Sequence, residues 1–312
     1  MCYLAVIDLG SNSTRMVVEQ LQEDGTFAEL VRQKSDTRLA EGMDNNGGIL
    51  TSAAIERVVV ALKDFAAVYE TYSPIKVLGI ATAAVREAVN QTEFTDRLLA
   101  EFGVEVRVLS GDQEAYYDYL GAASALDITD AWLLDTGGAS VELVGIQERM
   151  AANFISLPFG AVNLAERFAL NQAGILDSDS LQAAQNYVDQ QYANLPWVED
   201  DELPIILLGG ANRTLARLDR ARQGLPADED FHGYEMPTER VITTFNEMVA
   251  MPLADRADLL GAEANRADII VSGLLPLVKL IELTGAQKVI FSASGVREGV
   301  LQEYRLDTLQ ED

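Results

Sequence analysis

Two short segments carry residue types and spacing suited to holding phosphate oxygens. They are Asp8-Leu9-Gly10-Ser11-Asn12-Ser13 and Asp135-Thr136-Gly137-Gly138-Ala139-Ser140. Each sits between apolar runs, Tyr3–Ile7 and Met16–Val18 for the first, Ala131–Leu134 and Val141–Ile146 for the second. The pattern reads as strand, tight turn, strand, made twice. A turn of Gly, Ser and Asn can aim several backbone N–H groups and hydroxyls at one point, and such a concavity binds anions without a helix end. Two such turns facing each other across a cleft would grip a polyphosphate group from both sides.

Carboxylates and guanidinium groups supply the rest of the chemistry. Glu114 lies in Ser110-Gly111-Asp112-Gln113-Glu114, where a strand ends and a helix starts. A carboxylate there either complements the helix dipole or takes part in chemistry as a general base. Asp112 is the lesser candidate for that role. Asp135 and Glu142 flank the second turn, and Asp8 holds the equivalent place in the first. Their oxygens suit Mg²⁺ (or Mn²⁺) shared with phosphate oxygens and water, or they accept turn N–H groups and do nothing more. After Gly209-Gly210 come Arg213, Arg217, Arg220 and Arg222, opposed only by Asp219. On a helix the first three share a face and form either a phosphate-binding row or a set of partners for the abundant acids. The sole histidine, His232, cannot build a His-rich metal site, and no GxxxxGK[ST] loop occurs.

Bulk composition narrows the class. A chain of 312 residues with 48% hydrophobic content reads as two folded domains. The formal net charge of −26 argues against nucleic acid and anionic membranes as partners. One cysteine, Cys2, excludes an intramolecular disulfide and suits a reducing, cytoplasmic compartment. Met1–Ile7 lacks the basic start of a secretory signal, and the apolar stretch Ile269–Ile281, interrupted by Pro276 and Lys279, suits a buried helix rather than a membrane span.

The elements that must position these residues follow from periodicity. Strands are predicted at Tyr3–Ile7, Thr14–Leu21, Phe27–Gln33, Val77–Ile80 and Val104–Leu109, with helices from Ser52, from Ala83 into the 90s, and from Asp112 to Ser124. The second half repeats the theme: strands at Ala131–Leu134, Val141–Ile146, Ala152–Ile155, Leu203–Leu208 and Lys288–Phe291, with helices near 160–169, 179–193, 238–250 and 266–283 and a last one from Val296. Three strands and then helix–strand alternation, twice, is an α/β fold made twice. The expected domains are 1–124, completed by the C-terminal helix 296–312, and 125–295.

Taken in order, the blocks Ile7–Val18, Ala81–Asn90, Ser110–Ala115, Leu134–Leu143, Ser156–Phe168, Leu208–Ala216, Phe231–Tyr234 and Ser292–Leu301 resemble the exopolyphosphatase/guanosine pentaphosphate phosphohydrolase (Ppx/GppA) family, in its short two-domain form. The resemblance implies two ribonuclease-H-like (actin-like ATPase) domains with an interdomain cleft. It also implies hydrolysis of terminal phosphate from inorganic polyphosphate or guanosine pentaphosphate, and a homodimer. It makes Glu114 the catalytic base and associates Asp135, Glu142 and Asp8 with the metal. It places Ser11, Asn12, Ser13, Arg15, Arg86, Gly137, Gly138, Ala139, Ser140, Gly209, Gly210 and Arg213 around the phosphates. Ala139 and Val141 stand where the family usually has glycine and threonine, so an alanine methyl at a left-handed position would reduce turnover. The competing readings are a phosphotransferase using ATP and a (p)ppGpp- or polyphosphate-binding sensor that has lost catalysis.

Overall fold

The computed structural model describes residues 3–22, 26–199, 201–226 and 231–311. Cys2, and Asp200 of the acidic run before Leu203, lie outside the described residues. The chain divides into two compact units, one running to Glu114 and resuming at Val300, the other from Ala115 to Gly299.

The first unit holds β1 (Tyr3–Leu9), β2 (Thr14–Leu21), β3 (Phe27–Ser35), α1 (Ser52–Tyr69), β4 (Ile75–Ala81), α2 (Ala83–Arg86), α3 (Gln91–Phe102), β5 (Val106–Val108) and the first residues of α4 (Gly111–Ala125). The sheet order is β3-β2-β1-β4-β5, antiparallel through β1–β2–β3 and parallel from β1 to β4 to β5. Central β1 is apolar on both faces because both are covered, whereas β3 at the edge alternates toward solvent. Helix α1 starts where the Thr51 side chain accepts the Ala54 N–H at 3.2 Å, and it buries Ala54, Val58, Leu62 and Phe65 along one face. The single helix expected from Ala83 is two helices. The Asn90 side chain takes the Leu50 N–H at 2.9 Å and donates to the Leu50 carbonyl at 3.1 Å. An Asn that pairs with distant backbone in this way competes with helix continuation. The returning chain packs in this unit through Tyr304, against the ring of Phe27 and under the ammonium of Lys76.

The second unit holds the rest of α4, then β6 (Ala131–Thr136), β7 (Val141–Gln147), β8 (Met150–Leu157), α5 (Ala161–Arg167), α6 (Ser178–Ala193), β9 (Ile205–Gly209), α7 (Gly210–Arg222), β10 (Glu235–Pro237), α8 (Thr238–Ala250), α9 (Leu253–Leu260), α10 (Ile270–Thr284), β11 (Lys288–Phe291) and the start of α11 (Val296–Glu311). Its sheet order is β10-β11-β9-β6-β7-β8. Apart from the added edge strand β10, order and strand directions repeat those of the first unit. Each unit is therefore a ribonuclease-H-like α/β unit.

Strand alternation divides the second sheet into two faces. Trp132, Leu134, Val141, Leu143, Ile205 and Leu207 join the large core. Leu133, Val144, Ile206 and Leu208 join a smaller one with Ala115 and Ala122 of α4. The apolar stretch Ile269–Ile281 becomes α10, which starts at Ile270 rather than 266 and is almost wholly buried. Helix α9 and strand β10 have no counterpart in the sequence reading. β10 has three residues and ends in proline, while α9 carries a charge on its buried face. That charge is Arg256, fully enclosed, with Nη1 donating to the Ala267 carbonyl at 3.2 Å and burial pulling its pKa down.

Candidate active site

The two turns are closed by the same hydrogen bond, Gly10 N–H to Ser13 carbonyl at 3.2 Å and Gly137 N–H to Ser140 carbonyl at 3.0 Å. Each is buttressed on its carbonyl side. In the first, the Ala40 and Arg38 N–H groups bond the carbonyls of Ser11 (2.8 Å) and Asn12 (2.9 Å), and the Ser11 hydroxyl accepts the Ala84 N–H at 3.2 Å. In the second, Ala161 and Val162 of α5 bond the carbonyls of Gly137 (2.9 Å) and Gly138 (2.8 Å), while Asn163 Nδ2 bonds that of Ala139 at 3.1 Å. A trans peptide points its C=O and the following N–H in opposite directions. The N–H groups of Asn12 and Ser13, and those of Gly138, Ala139 and Ser140, are therefore turned away from the buttress as a row of donors. Such a row can accept an anion.

Ala139 does not carry the expected handicap. Gly137, Gly138 and Ala139 are absent from the positive-φ residues, so a methyl group at 139 meets no left-handed penalty. Val141 points into the large core beside Leu134 and Leu143, where a threonine hydroxyl would have been buried. Ala139→Gly is expected to leave kcat unchanged and to lower stability by about 0.5–1 kcal/mol through unfolded-chain entropy. Steady-state kinetics and a melting curve check both.

Register makes the two turns chemically different. Asp8 pairs across the strands with Arg15, whereas Asp135 pairs across them with Glu142. Opposed residues on antiparallel strands hold their side chains together on one face. The first turn is thus flanked by one acid and one base, the second by two acids. Alternation puts Asp135 with Leu133, and Glu142 with Val144, on the face covered by α4. Helix α4 supplies a third acid there. One carboxylate oxygen each from Asp118, Asp135 and Glu142 lie within 4.8 Å of one another, and Asp118 and Glu142 are buried. Three convergent carboxylates form an oxygen donor set that suits a hard divalent cation. Ser156 donates its hydroxyl to Glu142 at 2.7 Å. Asp118 was missed in the sequence, although a signal existed: it falls four residues after Glu114, on the helix face that carries Ala115 and Ala122 at i, i+3, i+7. Asp8 belongs to the first unit.

Glu114 sits at the start of α4, where Ser110 and Gln113 form a reciprocal capping box: Gln113 N–H to Ser110 Oγ at 3.2 Å and Ser110 N–H to Gln113 Oε1 at 3.0 Å. Asp112 in the same turn is exposed, while Glu114 is buried with 8% of its side chain accessible. Arg86 holds it, Nη1 donating to Glu114 Oε2 at 2.8 Å and to the Leu109 carbonyl at 3.1 Å. The sequence placed these two residues in separate roles; the structure brings them into one ion pair.

Gly209 ends β9 at φ +91°, and a Cβ there would lie 2.6 Å from Asp135 Oδ1 and 2.4 Å from the Thr136 carbonyl. Gly210 opens α7, and a Cβ on it would lie 2.3 Å from Arg266 Nη1, a guanidinium that sequence reasoning did not single out. The arginines of α7 take separate partners. Arg213 is half-buried, and Arg217 pairs with Glu263 and lies over the Phe231 ring at 5.4 Å. Arg220 is buried beside Tyr234 and bonds the Pro226 carbonyl at 3.3 Å, and Arg222 pairs with Glu247 at 2.7 Å. Burial on one side and acids on the other split the row. His232 bonds the Ala125 carbonyl through Nε2 at 3.1 Å and takes the Ala293 N–H on Nδ1 at 3.2 Å, a structural tie.

The profile of the Ppx/GppA phosphatase family matches residues 6–307. The chain belongs to the Ppx/GppA phosphatase family. This is a hydrolase family that generally depends on divalent metal. A Ppx/GppA family member from Aquifex aeolicus has a solved structure 28% identical to this chain, with a TM-score of 0.79, covering 100% of this chain and 99% of that one. A solved exopolyphosphatase from Cytophaga hutchinsonii, 23% identical with a TM-score of 0.87 and 98% coverage of both chains, shares the fold. A bifunctional 3-dehydroquinate synthase/phosphatase from Fusobacterium nucleatum is 26% identical over 96% of this chain. This chain spans about half of that protein, 46% of its length. Among the described residues no helix is long and apolar enough to cross a membrane.

Proposed function

We propose that this protein hydrolyses the terminal phosphoanhydride of inorganic polyphosphate or of guanosine pentaphosphate by direct attack of water. The observation that carries the reading is the pair of matched turns, each with its carbonyls fastened behind it and its N–H row turned outward. Such rows suit non-bridging phosphate oxygens. Glu114 is the base. Burial and the bond from Arg86 fix its carboxylate in one orientation, as positioning of a water requires. Arg15, beside the first turn, contributes positive charge toward the phosphates. Asp135 and Glu142 would hold Mg²⁺ or Mn²⁺, with Asp8 as the corresponding acid of the first turn. When bound, the ion neutralises charge on phosphate oxygens.

Phosphate release tests the reading. Long-chain polyphosphate, guanosine pentaphosphate and ATP are offered separately, with Mg²⁺ and with chelator. The expected result is release from polyphosphate or the pentaphosphate that stops on chelation, with ATP hydrolysed far more slowly. No release from either, with tight binding retained, favours a sensor. ATP consumption that requires an added acceptor favours a phosphotransferase.

A further inference from the structure

We propose that Asp118 is a positioning residue with two partners, a third carboxylate toward the divalent ion and the cap of helix α11, so that ion binding steadies the start of that helix. This rests on the reading of Asp135 and Glu142 as ion ligands.

Three observations converge on Asp118. It is fully buried, and its carboxylate belongs to the trio with Asp135 and Glu142. Its Oδ1 also accepts the N–H of Val296, the first residue of α11, at 2.9 Å. That N–H is one of the donors a helix leaves unmatched at its start, and a carboxylate from another element satisfies it here. Glu298 reaches back to the Gly295 N–H at 2.9 Å, so the two residues at the helix start have separate acceptors.

The approach of α4 to α11 makes this bond possible. A Cβ on Gly121 would lie 2.2 Å from the Gly295 carbonyl oxygen, and one on Gly299 would lie 2.1 Å from the Tyr117 carbonyl oxygen. Backbone therefore meets backbone on both sides of Asp118, and a Cβ on Gly295 would stand 3.0 Å from its Oδ1. A carboxylate enclosed in this way cannot swing between its partners. It serves both from one rotamer or it serves neither.

The direction of coupling follows from charge. Without a cation, three carboxylates this close repel, and because Asp118 has no other rotamer the repulsion weakens its bond to Val296 rather than moving it elsewhere. A divalent ion among them turns repulsion into attraction and holds Asp118 where the helix start needs it. Asp118→Asn keeps an oxygen for the Val296 N–H and removes the charge. Asp118→Ala removes both.

The test combines Mn²⁺ titration of the full chain with hydrogen exchange at the amides of Val296–Gly299. In the wild type, Mn²⁺ is expected to bind and to slow exchange at Val296. Asp118→Asn is expected to weaken Mn²⁺ by roughly 10–100-fold and to abolish the Mn²⁺-dependent slowing, its ion-free exchange at Val296 being already slower than that of the ion-free wild type because the repulsion is gone. Asp118→Ala is expected to exchange fast with or without Mn²⁺. Glu142→Gln separates the two levels. If it weakens Mn²⁺ while Asp118→Asn binds as the wild type does, Asp118 is a helix cap alone and this inference falls. If wild-type chain binds no Mn²⁺, or Glu142→Gln leaves binding unchanged, the ion-site reading itself falls.

Discussion

Glu114→Gln is expected to lower kcat for phosphate release by about 10²–10⁴-fold while leaving the fold and KM close to wild type. Glutamine keeps an oxygen that can accept the Arg86 N–H seen at 2.8 Å, so the ion pair becomes an ordinary hydrogen bond and the start of α4 keeps its capping box. What disappears is the ability to take a proton from water. The loss corresponds to about 3–5 kcal/mol of barrier, at about 1.4 kcal/mol per tenfold. Retention of full turnover by this variant would remove Glu114 from the mechanism, and exposed Asp112 would be the next acid to test.

The same measurement separates two roles for Arg86. If Arg86 acts only by holding Glu114, then Arg86→Gln added to Glu114→Gln costs nothing further, because the group it orients is already inactive. If Arg86 also touches phosphate, the double variant shows a raised KM that Glu114→Gln lacks. The pair was not legible in the sequence because its members lie in different elements, α2 and α4, and nothing in the spacing of either block reports the distance between them.

Other parts of the site were legible for a physical reason. Period-2 alternation and Gly/Ser/Asn turns are local signals, so the strands flanking both turns, and the duplication itself, could be read directly. Asp135 and Glu142 followed from the same logic, since hairpin partners are set by the length of the turn. What local signals left open was tertiary. Ala139 was judged by the φ that glycine permits, whereas the turn uses ordinary φ throughout and its glycine at 137 answers to space, with a Cβ there 3.1 Å from the Ser140 carbonyl oxygen. The arginines of α7 were left between a phosphate-binding row and partners for acids, because helical spacing does not show Glu263 and Glu247 arriving from elsewhere; Arg217 and Arg222 take those acid partners. Asp118 was passed over because a second acid one turn after Glu114 looks like a solvated position until the partner sheet is in place.

Gly209→Ala is expected to abolish metal-dependent turnover and to destabilise the second unit, and it tests the acid site from its backbone side. At φ +91° and ψ 166° the residue occupies a region reserved for glycine, which costs an L side chain on the order of 1–3 kcal/mol. The steric part is more specific. The new methyl would stand 2.6 Å from Asp135 Oδ1 and 2.4 Å from the Thr136 carbonyl oxygen, both belonging to the strand end that carries the acid. Relief requires either β9 to separate from β6, to which it is paired through Thr136 and Gly209, or Asp135 to leave the trio. Either movement spoils the ligand set, so Mn²⁺ affinity should fall together with kcat, and the melting temperature should drop by several degrees. Gly210→Ala is the companion measurement. Its methyl meets the Arg266 guanidinium instead, so it is expected to leave Mn²⁺ affinity near wild type while disturbing the start of α7. If Gly209→Ala lowers stability but binds Mn²⁺ as tightly as the wild type, Asp135 is not held by this contact, and the acid site owes its shape to α4 and β7 alone.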